Sequence, residues 1–271
     1  MHKQNGFTLI ELMVVIAIIA MLMAILMPAL AGTRKQAKAV TCQSTLSQWG
    51  KVFMMYTMDN DGYFASGSSG KMWTTFLKPY YIDTDLRLCP MAAKPASEEM
   101  CILNMPGSKF LAWGKFDPNN PTYIYLELGN VYGSYGMNGH VSNEPPNTND
   151  LYGRNLANNW RSCNVRGANN IPLFLDCTYI GSVPNSYDEP PQYDGECIYG
   201  PFGPDMKAFC IDRHNGYING LFVDFSVRKV GLKQLWTLKW HREFDTQGPW
   251  TKAGGVQPED WPQWMRNFKD F

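Results

Sequence analysis

The stretch that most constrains this chain runs from Leu12 to Ala31, twenty consecutive residues without a charge. As an α-helix it is about 30 Å long, the thickness of a bilayer's hydrocarbon core. A helix that is apolar on every side has to be covered all round, by lipid or by protein. One acid, Glu11, stands immediately before the run. Asp, Lys or Arg at the centre of a membrane helix costs roughly 2.5–3.5 kcal/mol on insertion scales, and Glu should cost a comparable amount, so Glu11 calls for a partner. Three readings compete. A secretory signal peptide would use Ala29-Leu30-Ala31 as its cleavage site, but the leader is short and the apolar run is long for one. A plain membrane anchor explains the length and leaves Glu11 without a reason.

The third reading uses every feature. Gly6-Phe7-Thr8-Leu9-Ile10-Glu11, followed by the long apolar run, resembles the processing site of type IV prepilins and type II secretion pseudopilins. The resemblance implies cleavage between Gly6 and Phe7 by a prepilin peptidase on the cytoplasmic side of the membrane, then N-methylation of Phe7. It implies that Glu11 pairs with the new α-amino group of Phe7 on a neighbouring subunit, relieving two buried charges at once and setting the axial register of assembly. Pro28 falls where pilin helices commonly carry a kinking proline, and a mid-helix proline removes a backbone hydrogen bond. The implied location is the inner membrane, single-pass, with the rest of the chain in the periplasm or outside the cell. The charge count points the other way, because Arg34, Lys35 and Lys38 follow the span while only His2 and Lys3 precede it. The motif is taken over the count.

Beyond the span the helical pattern continues. Ala39, Cys42, Leu46, Trp49, Phe53 and Tyr56 recur at steps of three or four, an amphipathic stripe. Arg34, Lys35, Gln36, Lys38, Gln43 and Lys51 lie off it, and Gly32 and Gly50 are weak points in it. The helix is expected to stop at Asp59-Asn60-Asp61-Gly62. These residues also resemble the start of a calcium loop, but the twelfth loop position is Gly70, where an EF-hand needs an acid. A helix-terminating turn is the simpler reading, and calcium stays open because some pseudopilins bind it in the head; no other cofactor is expected. The organisation expected is a leader over 1–6, a membrane or filament-core helix over 7–31, its amphipathic continuation over 32–60, and a head over 61–271. The fold class is α+β: a long N-terminal helix packed on an antiparallel β-sheet head with long loops.

In the head the spacing predicts short strands and turns. Residues 72–82 read as a short helix and a Pro-bounded turn. Leu86–Pro90, Ser108–Phe116 and 121–129 read as strands, and Ile171–Cys177 as a buried strand. Asn143–Asp150 reads as a polar loop and Ser182–Asp205 as a long surface loop. Leu221–Val223 and Ser226–Val230 read as a hairpin around Asp224-Phe225. His214 and Asp224 match the spacing of a His-x9-Asp-Gly signature found in pseudopilin-like families of planctomycetes, and both are given structural roles. Phe225 replaces the glycine, and because Phe resists φ > 0 a turn other than the tight two-residue one is expected. Ser134–Asn138, Cys89-Pro90 and the two tail segments Leu235–Thr246 and Asp260–Phe271 are similar to the same families.

Seven cysteines show no CxxC spacing, and no two of the four histidines stand at an i, i+4 metal spacing, so no metal site is expected from local motifs. Cys42 on the stripe and Cys89 on the strand expected beside it are the first candidates for a disulfide. A zero net charge argues against nucleic acid. No nucleophile, P-loop or zinc-protease motif occurs, and His214 with Asp224 lacks a positioned nucleophile, so the chain is not read as an enzyme. The function expected is a structural subunit of a type IV pilus-like or pseudopilus filament, with prepilin peptidase, related subunits and the inner membrane as partners. Two alternatives are a glycan- or surface-binding protein using Trp236, Trp240, Trp250, Trp261 and Trp264, and a membrane-anchored hydrolase using His214 and Asp224.

Overall fold

The computed structural model describes residues 9–66, 72–95, 107–114, 132–145, 155–196 and 205–271. The strand expected over 121–129 lies outside the described residues. Helix α1 runs unbroken from Leu9 to Asp59 with Pro28 inside it, about 76 Å at 1.5 Å per residue. It ends where the turn formers cluster. Asp61 and Gly62 take positive φ, 54° and 81°, and the Gly62 amide donates to the Thr57 carbonyl at 2.7 Å. This closes the helix with a Schellman-type bond. Asn60 Nδ2 donates to the Tyr56 carbonyl at 2.7 Å, and Asp59 accepts from the Tyr80 hydroxyl at 3.0 Å.

Among the described residues the head holds a second, one-turn helix, α2 (Trp73–Phe76), and eight strands: β1 (Lys94–Pro95), β2 (Leu111–Gly114), β3 (Tyr132–Gly133), β4 (Tyr135–Asn138), β5 (Pro172–Asp176), β6 (Gly181–Ser182), β7 (Tyr217–Phe222) and β8 (Val227–Gly231). Its main sheet has the order β6-β4-β5-β7-β8. All its pairings are antiparallel except the edge pair β4–β6. A small second sheet joins β1, β2 and β3.

Both faces of the main sheet are covered, which is why every residue of β5 is buried. On one face α1 presses Cys42, Leu46, Trp49, Val52 and Phe53 onto Phe174, Tyr135 and Leu221. On the other, Leu175, Ile218, Phe222 and Val230 meet Trp236, Trp240 and Trp261 from the C-terminal segment. Along β7 the residues alternate, Asn219 and Leu221 toward the helix and Ile218 and Phe222 toward the tail, the period-two pattern of a strand. The head is therefore helix, sheet and an irregular third layer built from the Trp-rich tail.

Three expectations are corrected. Leu86–Pro90 is not a strand. Thr84–Arg87 is a 3-10 turn capped by Asp83, whose Oδ1 accepts from the Asp85 amide at 2.9 Å, a side-chain bond that competes with ladder pairing. The Cys89 amide then donates to Ser134 Oγ at 2.8 Å rather than to a neighbouring strand. The described part of Ser182–Asp205 is irregular but not merely superficial: Pro184, Asp188, Pro190 and Pro191 are buried. Trp236 and Trp264 hold it by donating Nε1 to the Asp188 and Pro191 carbonyls, each at 2.8 Å. Third, Cys42 and Cys89 are close but not joined, and each is a free thiol.

The β7–β8 hairpin avoids the tight two-residue turn. The Phe225 amide donates to the Phe222 carbonyl at 2.8 Å and the Phe222 amide to the Ser226 carbonyl at 2.9 Å. Val223-Asp224-Phe225 is thus a three-residue loop with Phe225 in the left-handed position, φ 63°, where glycine is usual.

Candidate assembly helix and a buried cluster in the head

Helix α1 has two halves with opposite surroundings. From Leu9 to Leu30 its large apolar side chains are exposed, Leu9 at 74% and Met27 at 67%, and this stretch is the one part of the described residues long and apolar enough to cross a membrane. From Ala39 to Thr57 the stripe sinks into the head. Glu11 sits in the first turn of the described part of α1. Gly6 and Phe7 lie outside the described residues.

The head resolves the fate of the other singled-out residues. His214 and Asp224 do not meet. Strand β7 runs between them, which separates them by roughly 20 Å at about 3.3 Å per residue. Asp224 Oδ1 accepts from the Ser226 amide at 3.0 Å and from Ser226 Oγ at 2.6 Å, capping the hairpin turn. His241 instead meets His140 at a tilt, ring centroids 4.7 Å apart. Of the five tail tryptophans, Trp236, Trp240 and Trp261 are buried, and Trp250 and Trp264 pack against them, so the rings considered for sugar stacking form the third layer.

His214 lies elsewhere, in a buried cluster with Cys42, Cys89 and Asp176, whose ligand-type atoms all fall within 4.8 Å of one another. His214 Nε2 is 3.1 Å from Asp176 Oδ2 and 3.5 Å from Cys89 Sγ. Cys42 Sγ is 3.6 Å from Asp176 Oδ2 and accepts from the Tyr135 hydroxyl at 3.3 Å. Arg213, fully buried, pairs with Asp176 Oδ1 at 3.1 Å and donates to the carbonyls of Ser134, Ser108 and Cys177. The Asn219 amide donates to Asp176 Oδ2 at 2.9 Å.

The electrostatics follow from this packing. Burial pushes the Asp176 carboxyl up, but the adjacent His214 and Arg213 charges and the Asn219 amide outweigh it and hold it at about 2. Burial pushes His214 down, and Asp176 with Cys89 overcomes that, raising it to about 9. Burial raises the Cys89 thiol too, yet hydrogen bonding with Cys42 and His214 brings it to about 7, while burial pushes Cys42 well up. Buried charges persist only when paired. Asp176 and Arg213 were not legible as a site, because the cluster draws on the helix, two loops and the end of β5 and no local spacing joins them.

Residues 1–27 match the family described as the prokaryotic N-terminal methylation motif. The chain is 46% identical over 63 residues to the type IV wide pilus major component of Thermus thermophilus, 23% of this chain and 48% of that protein. It is 38% identical over 63 residues to the type II secretion system core protein G of Klebsiella pneumoniae, 23% of this chain and 45% of that protein. With the core protein G of Escherichia coli it shares 39% over 61 residues, 22% of this chain and 42% of that protein. The chain thus spans under half the length of these curated relatives. No solved structure matches it significantly.

Proposed function

Because the N-terminal segment is that of the type IV pilin and pseudopilin family, we propose that the protein is a structural subunit of a pilus-like or pseudopilus filament, held in the membrane by its N-terminal helix before assembly. The observation that carries this reading is the two-sided character of α1: one continuous helix, apolar and uncovered from Leu9 to Leu30, rooted by its other half in the head. Left in water that surface would be a large exposed apolar patch, which marks an interaction site. Lipid covers it in the precursor, and the same helices of neighbouring subunits cover it in the filament.

Processing after Gly6 exposes a new amino group on Phe7, which is then methylated. Glu11 of an adjoining subunit supplies the opposite charge in an apolar setting, where an unpaired charge is costly. Prepilin peptidase and related subunits are the partners, the inner membrane is the site of assembly, and the work is mechanical rather than catalytic. The Trp-rich layer packs the head instead of presenting rings to a glycan. The test is Glu11→Ala in the native host. Heads should stay folded while filament recovery falls sharply; undiminished filaments would sink the pairing mechanism.

A further inference from the structure

The buried cluster of Cys42, Cys89, Asp176 and His214 lies far from the apolar half of α1, and filament assembly gives it no task. We infer that these four side chains form a tetrahedral site for a divalent, borderline-soft cation, zinc by its donor set, which clamps α1 onto the head.

Three independent features support this. The first is donor chemistry: thiolate, imidazole and carboxylate are all ligand types that zinc takes. The second is geometry. Zinc bonds of about 2.0–2.3 Å at tetrahedral angles place neighbouring donor atoms about 3.3–3.8 Å apart. Here His214 Nε2 to Asp176 Oδ2 is 3.1 Å, Cys89 Sγ to His214 Nε2 is 3.5 Å, and Cys42 Sγ to Asp176 Oδ2 is 3.6 Å. The remaining donor pairs lie within 4.8 Å, so the four donors reach a common tetrahedral centre by drawing together by up to about an ångström.

The third is charge and support. Two thiolates and one carboxylate carry three negative charges. A divalent cation and Arg213 supply three positive ones, so the filled site is neutral in an interior that tolerates no net charge. Arg213 on Asp176 Oδ1 and the Tyr135 hydroxyl on Cys42 are the outer hydrogen bonds that orient ligands in metal sites. A disulfide between Cys42 and Cys89 would account for two of the four residues and give no reason for Asp176 and His214 to converge on them. The four ligands come from α1, the loop before β1, the end of β5 and the loop before β7, so one ion ties together the three elements that hold the helix in place.

The experiment is metal analysis of the full chain purified in detergent from membranes. About one zinc per chain is expected, retained in Cys163→Ser, whose half-buried thiol lies outside the cluster, and lost in Cys89→Ser and His214→Ala. To separate loss of the site from unfolding of those two variants, the native chain is also stripped with chelator and titrated with Co2+. Intense visible d–d bands with thiolate-to-cobalt charge transfer, saturating at one equivalent, support the site. Absence of bound metal together with no cobalt spectrum overturns it, and so does a Cys42–Cys89 disulfide found by non-reducing peptide mapping.

Discussion

Gly50 of α1 lies directly against the hairpin turn of Phe225: a Cβ built on Gly50 would meet the Phe225 carbonyl oxygen at 3.4 Å and Leu221 Cδ1 at 3.1 Å. A residue that weakens the helix locally thus sits where the helix packs tightly on the β7–β8 hairpin. Gly50→Ala gains about 0.5–1 kcal/mol of helix propensity and loses a similar amount to this crowding, so its melting temperature should stay close to that of the native chain. Gly50→Leu has nowhere to go and should cost about 1–3 kcal/mol. Thermal unfolding followed by tryptophan fluorescence separates the two.

Phe225 holds a left-handed backbone at φ 63° while its ring packs on the helix-side core. Phe225→Ala keeps the strain and discards the packing; Phe225→Gly discards both. The alanine variant should therefore be the less stable of the pair, by about 1 kcal/mol. Denaturant titration checks the order, and a glycine variant less stable than alanine would refute the strain.

Trp49 is the hub of the helix-side core. Its ring meets Trp73, Tyr81 and Phe174 with centroids 5.1, 4.9 and 5.2 Å away, and its Nε1 donates to the Leu86 carbonyl at 2.6 Å. Trp49→Ala should cost about 3–5 kcal/mol. Trp49→Phe keeps a ring but leaves that carbonyl without its donor, for about 1–3 kcal/mol. Urea midpoints of the two variants give the comparison.

Asp188 makes the head pH-sensitive. Burial, with Asp205 adding to it, raises its carboxyl from 3.8 to about 6 against the pull of the Asn185 and Met206 amides. A carboxyl raised on folding favours the protonated native state. Its contribution is full below pH 4 and is lost as pH rises through about 6. Asp188→Asn keeps an oxygen for the two amides and should raise stability at pH 7–8 by up to about 3 kcal/mol, flattening the fall between pH 4 and 6. Melting temperatures measured across that range test the sign.

What could be read from the sequence was what repeats locally. The stripe from Ala39 to Tyr56 has a helix's period, and it is the face that α1 buries. The apolar run Ile171–Cys177 has no alternation because helix and tail cover both faces of β5. Leu86–Pro90 misled because its apolar residues suggest a strand while the Asp83 cap winds the preceding turn. Cys89, Asp176 and His214 each look ordinary in their own segment, and only the close packing of α1 on the sheet brings them to Cys42. His214 and Asp224, linked in sequence by a signature, are parted by the strand between them.

The most direct measurement is the mass of the N-terminal peptide of the protein taken from its native membrane. The filament-subunit account predicts a peptide beginning at Phe7 and heavier by one methyl group. A peptide beginning at Met1 or His2, or one beginning after Ala31, would contradict it and leave Glu11 at the head of an ordinary anchor or a discarded signal.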